Sequence, residues 1–154
     1  MALALPACGS QAPASPEPSA ARTTLSSGET IPGTQPTAAP TACARGLTGL
    51  VEQLEHLRRS LVIGVSYEQY VSELGTVRRS YERVPVGKLD LACVSGPATS
   101  AEESFDGYLA AANDWGDCVS QSGCETASLE PKLQRRWLVA AKLLAEARRA
   151  LESG

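Results

Sequence analysis

From residue 44 onwards, apolar side chains recur at steps of three and four. Leu47, Leu50, Val51, Leu54, Leu57 and Leu61 share one face of a helix expected over 44–62 and ended by Gly64. Ser66 and Gln69 have the spacing of a capping box, and Tyr67, Tyr70, Val71, Leu74, Val77 and Tyr81 mark the buried stripe of a second helix that stops before Pro85. Gly87, Gly96 and Pro97 make the stretch from Pro85 to Thr99 an expected loop carrying Cys93. Ser100 with Glu103 is a second capping box, opening a third helix with Phe105, Tyr108, Leu109, Ala112, Trp115 and Val119 inward and Gly123 at its close. Ser128 is the candidate cap of a fourth helix, with Pro131 in its first turn and Leu133, Trp137, Ala140, Ala141, Leu144, Ala147 and Leu151 along its stripe. No segment alternates with the period of two that a strand needs.

Four amphipathic helices, most of them joined by short connections, predict an all-α fold, a four-helix up-down-up-down bundle over 43–154. In that topology the start of the first helix and the long loop share one end, and the turn between the third and fourth helices lies at the other. Cys43 is therefore expected to pair with Cys93, and Cys118 with Cys124. A helix of 18 residues is about 27 Å long, and bridged Cα atoms lie within about 7 Å, so the alternative pairings would have to cross the bundle.

Composition changes sharply before residue 43. Seven of the ten prolines fall at or before Pro40, and residues 9–42 are rich in Pro, Ser, Thr and Ala with almost no large apolar side chains. Such a segment cannot bury enough surface to offset chain entropy and is expected to be a disordered tether with a reach of about 30 Å. Upstream of it, Leu5-Pro6-Ala7-Cys8, followed by Gly9-Ser10, resembles the lipobox of bacterial lipoproteins. The resemblance implies that residues 1–8 are the remnant of a signal peptide, that Cys8 is lipidated, and that the domain is held on the outer face of the cell membrane. The short apolar segment and the missing basic region imply a start inside the true leader and a longer upstream reading frame.

Charge narrows the choice of partner. Lys+Arg number 14 and Asp+Glu 17, a formal net charge of −3, so the chain lacks the basic footprint of nucleic-acid binding. Arg58-Arg59, Arg78-Arg79, Arg135-Arg136 and Arg148-Arg149 punctuate three helices, and the remaining one carries Glu102, Glu103, Asp106, Asp114 and Asp117. These charges read as a solvated surface with interhelical ion pairs, or alternatively as a contact for an acidic wall polymer or lipid headgroup. His56, the single histidine, stands beside Glu52 and Glu55 but lacks the second Glu-x-x-His of a di-iron bundle, and reads as a surface side chain rather than a metal ligand. Thiol-redox, haem-attachment, phosphate-loop and esterase motifs are absent, so no cofactor and no catalytic group is assigned, and the protein is not expected to be an enzyme.

Trp115, near the end of the third helix, and Trp137, near the start of the fourth, fall at one level, together with Tyr67 and Tyr70 at the start of the second. These four aromatics are simple core or the lining of a binding pocket. The run Tyr108, Ala111, Trp115, Cys118, Cys124, Leu133-Gln134, Trp137 and Ala141 resembles small exported four-cysteine proteins of actinobacteria. That resemblance implies an extracytoplasmic location and no particular activity. The expected role is an interaction module displayed on the cell envelope for another envelope protein or a cell-wall polymer; the alternative is a carrier of a small apolar ligand between the helices.

Overall fold

The first helix, α1 (Ala42–Ile63), begins where the Thr41 hydroxyl accepts a hydrogen bond from the Ala44 amide at 3.1 Å. Thr41 and Ala42 thus cap and open the helix from within the last residues of the expected tether. The protein is seen here as a computed structural model describing residues 41–153, of which 86 % are helical and none is in a strand. Cys8 and the expected tether up to residue 40 lie outside the described residues. Gly64 ends α1 with φ of 99°, a conformation that a side chain would strain. The capping box of α2 (Tyr67–Tyr81) is complete: the Ser66 hydroxyl accepts from the Gln69 amide, and Gln69 Oε1 from the Ser66 amide.

The stretch expected to be a loop is largely helical. A 3₁₀ turn at Val86–Lys88 leads to Asp90, whose carboxylate accepts from the Cys93 amide at 2.8 Å and caps a helical turn at Leu91–Cys93. That turn continues through a π turn at Val94–Ala98 into α3 (Thr99–Val119), so the third helical segment starts nine residues before the expected Ser100 cap. Pro97 explains the irregularity. It has no N–H to donate and its ring would clash with the preceding turn of a regular α-helix, whereas the wider π turn gives it room. The Thr99 hydroxyl takes up the Val94 carbonyl at 2.8 Å.

The last helix, α4 (Thr126–Ser153), also begins early. Ser128 is not its cap: its hydroxyl and amide both donate to the Glu125 carbonyl, at 2.8 and 3.0 Å, and Pro131 sits in the second turn instead of the first.

Leu47, Leu50, Leu54 and Leu57 of α1 pack with Tyr70, Leu74 and Val77 of α2, Phe105 and Tyr108 of α3, and Leu144 of α4 in one core. Four alanines, Ala101, Ala111, Ala140 and Ala147, are fully buried. Between α3 and α4 the backbones come very close: a Cβ on Gly107 would lie 3.1 Å from that of Ala140. Three expected core residues are exposed. Val71 lies one step off the Tyr70, Leu74, Val77 stripe, Val119 yields the inward position to Cys118, and Tyr81 sits at the rim with its hydroxyl donating to Glu102 at 2.6 Å. Cys43 pairs with Cys93, and Cys118 with Cys124, at Cα separations of 5.6 and 5.3 Å. Among the described residues no helix is long and apolar enough to cross a membrane.

Candidate functional site

The two tryptophans meet edge to face at the end of the domain closed by Cys118–Cys124, with ring centroids 6.1 Å apart. Tyr70 lies 5.9 Å from each of them, and Tyr67 lies 5.6 Å from Trp115. Helix geometry accounts for the grouping: Trp115 is four residues from the end of α3, Trp137 is in the third to fourth turn of α4, and the tyrosines open α2. Gly116 makes room for the Tyr67 ring, since a Cβ there would collide with the Tyr67 hydroxyl.

Tyr70 is the polar centre of this cluster. Its hydroxyl, fully buried, donates to the Tyr108 carbonyl at 2.8 Å and accepts from Trp137 Nε1 at 3.0 Å. Burial drives its pKa well above the ordinary phenol value, and the Trp137 hydrogen bond only partly offsets that rise. Tyr108 is different. Burial pushes its phenol up to about 12, with the Arg58 charge opposing and Glu55 adding to the rise, yet its hydroxyl has no hydrogen-bond partner among the described residues. An unsatisfied buried hydroxyl costs about 1–3 kcal/mol.

The four aromatics do not line one pocket together. Trp115 and Trp137 face an open seam between α1 and α4, while Tyr67 and Tyr70 stand behind them as supports. The seam has two arms that share Leu61, Gln134 and Trp137. One, of about 380 Å³, runs past Val65, Trp115 and Leu133 towards the start of α4. The other, of about 360 Å³, runs along Arg58, Val62, Tyr108 and Leu138. Apolar side chains on it are exposed: Val62 is 80 % exposed and Leu138 57 %.

The charges around the seam are balanced. Glu55 accepts from Arg58 Nε at 2.9 Å and lies 3.5 Å from Arg148 Nη1, and Arg148 also pairs with Glu152 at 3.3 Å. On the far side of α4, Asp114 of α3 binds Lys132 at 2.9 Å and Arg136. Burial works to raise the Asp114 carboxyl, but these two cations outweigh it and hold it below the usual carboxylate range. Members of all four arginine pairs are thus engaged as ion-pair donors: Arg58, Arg78, Arg136 and Arg148. His56 is largely exposed, with Nδ1 3.6 Å from Glu73 Oε2, and no cluster of three metal-binding side chains occurs among the described residues.

Sequence reasoning places the tryptophans at one level but misses Arg58, Tyr108, Gln134 and Leu138 as seam residues. A signal for them exists: Val62 and Ile63 follow the last stripe position of α1, and Leu138 and Val139 follow Trp137, so each helix carries apolar residues off its core face. Compared with protein-family models, curated proteins and solved structures, the chain matches none.

Proposed function

We propose that this chain is an extracytoplasmic interaction module of a bacterial cell envelope, anchored through a lipid on Cys8 and reaching its partner on the residue 9–42 tether. In this reading the helices form an up-down-up-down bundle. The ring contact between Tyr81 and Phe105, the ion pair between Asp114 and Lys132, and the Glu55–Arg148 pair support that arrangement, because each joins positions that antiparallel neighbours bring level. The two cystine bridges favour a domain that matures outside the reducing cytoplasm.

The observation that carries the reading is the seam itself. A groove lined by Trp137 and by exposed Val62 and Leu138 is the kind of contiguous apolar surface that marks a binding face. A photo-crosslinking residue at position 138, tested in intact cells against one at exposed position 103, should give a discrete adduct with an envelope component at 138 only. Equal background at both positions would remove the proposal.

The size of the groove favours a second reading, a carrier of a small apolar ligand, because each arm falls in the range of about 300–1,000 Å³ of small-molecule sites. Neither reading involves chemistry by the protein. The polar groups of the Tyr108 arm are a phenol, a side-chain amide and a guanidinium already paired to Glu55, which make no nucleophile and base.

A further inference from the structure

We propose that the Tyr108 arm of the seam is a site for a neutral aliphatic molecule of medium length bearing one acceptor oxygen, a ketone or an ester, which the Tyr108 hydroxyl receives as hydrogen-bond donor. This rests on the carrier reading. Three observations lead to it.

The first is the orphaned donor. Tyr108 lines the arm, has no exposed surface, and its hydroxyl finds no acceptor among the described residues, whereas the neighbouring Tyr70 hydroxyl has both a donor and an acceptor. Glu73 Oε2 and Ser104 Oγ are also buried without a partner among the described residues, but of the three residues only Tyr108 lines this arm. That phenol stays protonated far above neutral pH, so it is available as a donor throughout the physiological range.

The second is the character of the walls. Leu61, Val62, Trp137, Leu138 and Ala141 offer an apolar lining, and Val62 and Leu138 carry that lining out to the exposed surface.

The third is charge. Arg58 is the cation at the arm, but Glu55 accepts from it, and the nearby Arg148 is shared between Glu55 and Glu152. Two arginines against two glutamates leave no surplus positive charge for an anionic head, so a neutral acceptor fits better than a carboxylate.

Both tryptophans of the chain line the seam, so intrinsic fluorescence reads occupancy directly. The full-length oxidised chain and its Tyr108→Phe variant would be titrated with 2-decanone and with decanoate, and the melting temperature of each protein measured. We expect a saturable change with 2-decanone in the wild type, weaker binding of decanoate, and at least about threefold weaker 2-decanone binding in Tyr108→Phe, the loss of one hydrogen bond. The variant should melt no lower than the wild type, because its missing hydroxyl had no partner. Equal 2-decanone affinity in the two proteins, a marked fall in melting temperature, or tighter binding of decanoate would overturn the assignment while leaving the carrier reading in place. No saturable signal in either protein would overturn both.

Discussion

The two seams that α4 makes with its neighbours differ in what fills them. Against α3 it presents Ala140 to Gly107, and the helices approach until a single added methyl would touch. Against α1 it presents Gln134, Trp137 and Leu138 to Arg58, Leu61 and Val62, and a groove remains. The first seam is also braced by Asp114 between Lys132 and Arg136, and by the Cys118–Cys124 bridge at its turn. The contrast shows small residues bringing helices together and large ones propping them apart, so tight packing on one side of a helix leaves room on the other.

Three changes would break or sharpen that contrast. The largest effect is expected from Cys43→Ser with Cys93→Ser. This removes the one covalent link that, among the described residues, ties α1 to the segment leading into α3, and should lower stability by about 4 kcal/mol in chemical denaturation. Hydrogen exchange should then quicken in α1 well before α3 and α4; uniform quickening would mean that the seams are equally firm. Next comes Gly107→Leu, which forces a branched side chain against Ala140 and should cost about 3 kcal/mol by overpacking. A loss under about 0.5 kcal/mol would show that the seam has slack.

Asp114→Asn should have the smallest effect, about 1 kcal/mol at neutral pH, as expected for a partly exposed ion-pair network. Its signature is the pH dependence. The folded Asp114 carboxyl titrates below its ordinary value of 3.8, so its stabilisation is present above that pH and is lost as pH falls through the folded value. Denaturation curves between pH 7 and pH 3 should therefore fall less steeply for the variant than for the wild type.

The parts of this architecture that follow from local spacing are legible in the chain. The stripe of α1, the Ser66–Gln69 box and the pairing of the four domain cysteines all follow from the helical period and from which chain ends share a pole. The region around Pro97 is not, because Gly96 and Pro97 carry the local marks of a loop, and only Asp90, three residues before Cys93, hints at a helix start. The groove is harder still. Trp137 is expected on the core face and is there, but whether it also borders open space depends on how closely Gly107 lets α3 approach, a property of a different helix pair. Tyr108 likewise lies on the expected stripe, and its orphaned hydroxyl can be known only from what surrounds it.

The wide turn around Pro97 has one more effect, on angular phase. Each helical residue advances the side-chain direction by roughly 100°, so eight regular steps from Cys93 to Ala101 would leave the two roughly 80° apart. Taking up one surplus residue in the π turn cuts the effective count to seven and brings them within roughly 20° of each other. The kink thereby works as a clocking device: it rotates a sulfur onto the same meridian as the alanine stripe below it, where Cys43 can meet it. Deleting one residue from Val94–Ala98 would leave seven regular steps and the thiol on the same meridian, whereas forcing the full-length segment into a regular α-helix would swing it away by roughly 100°.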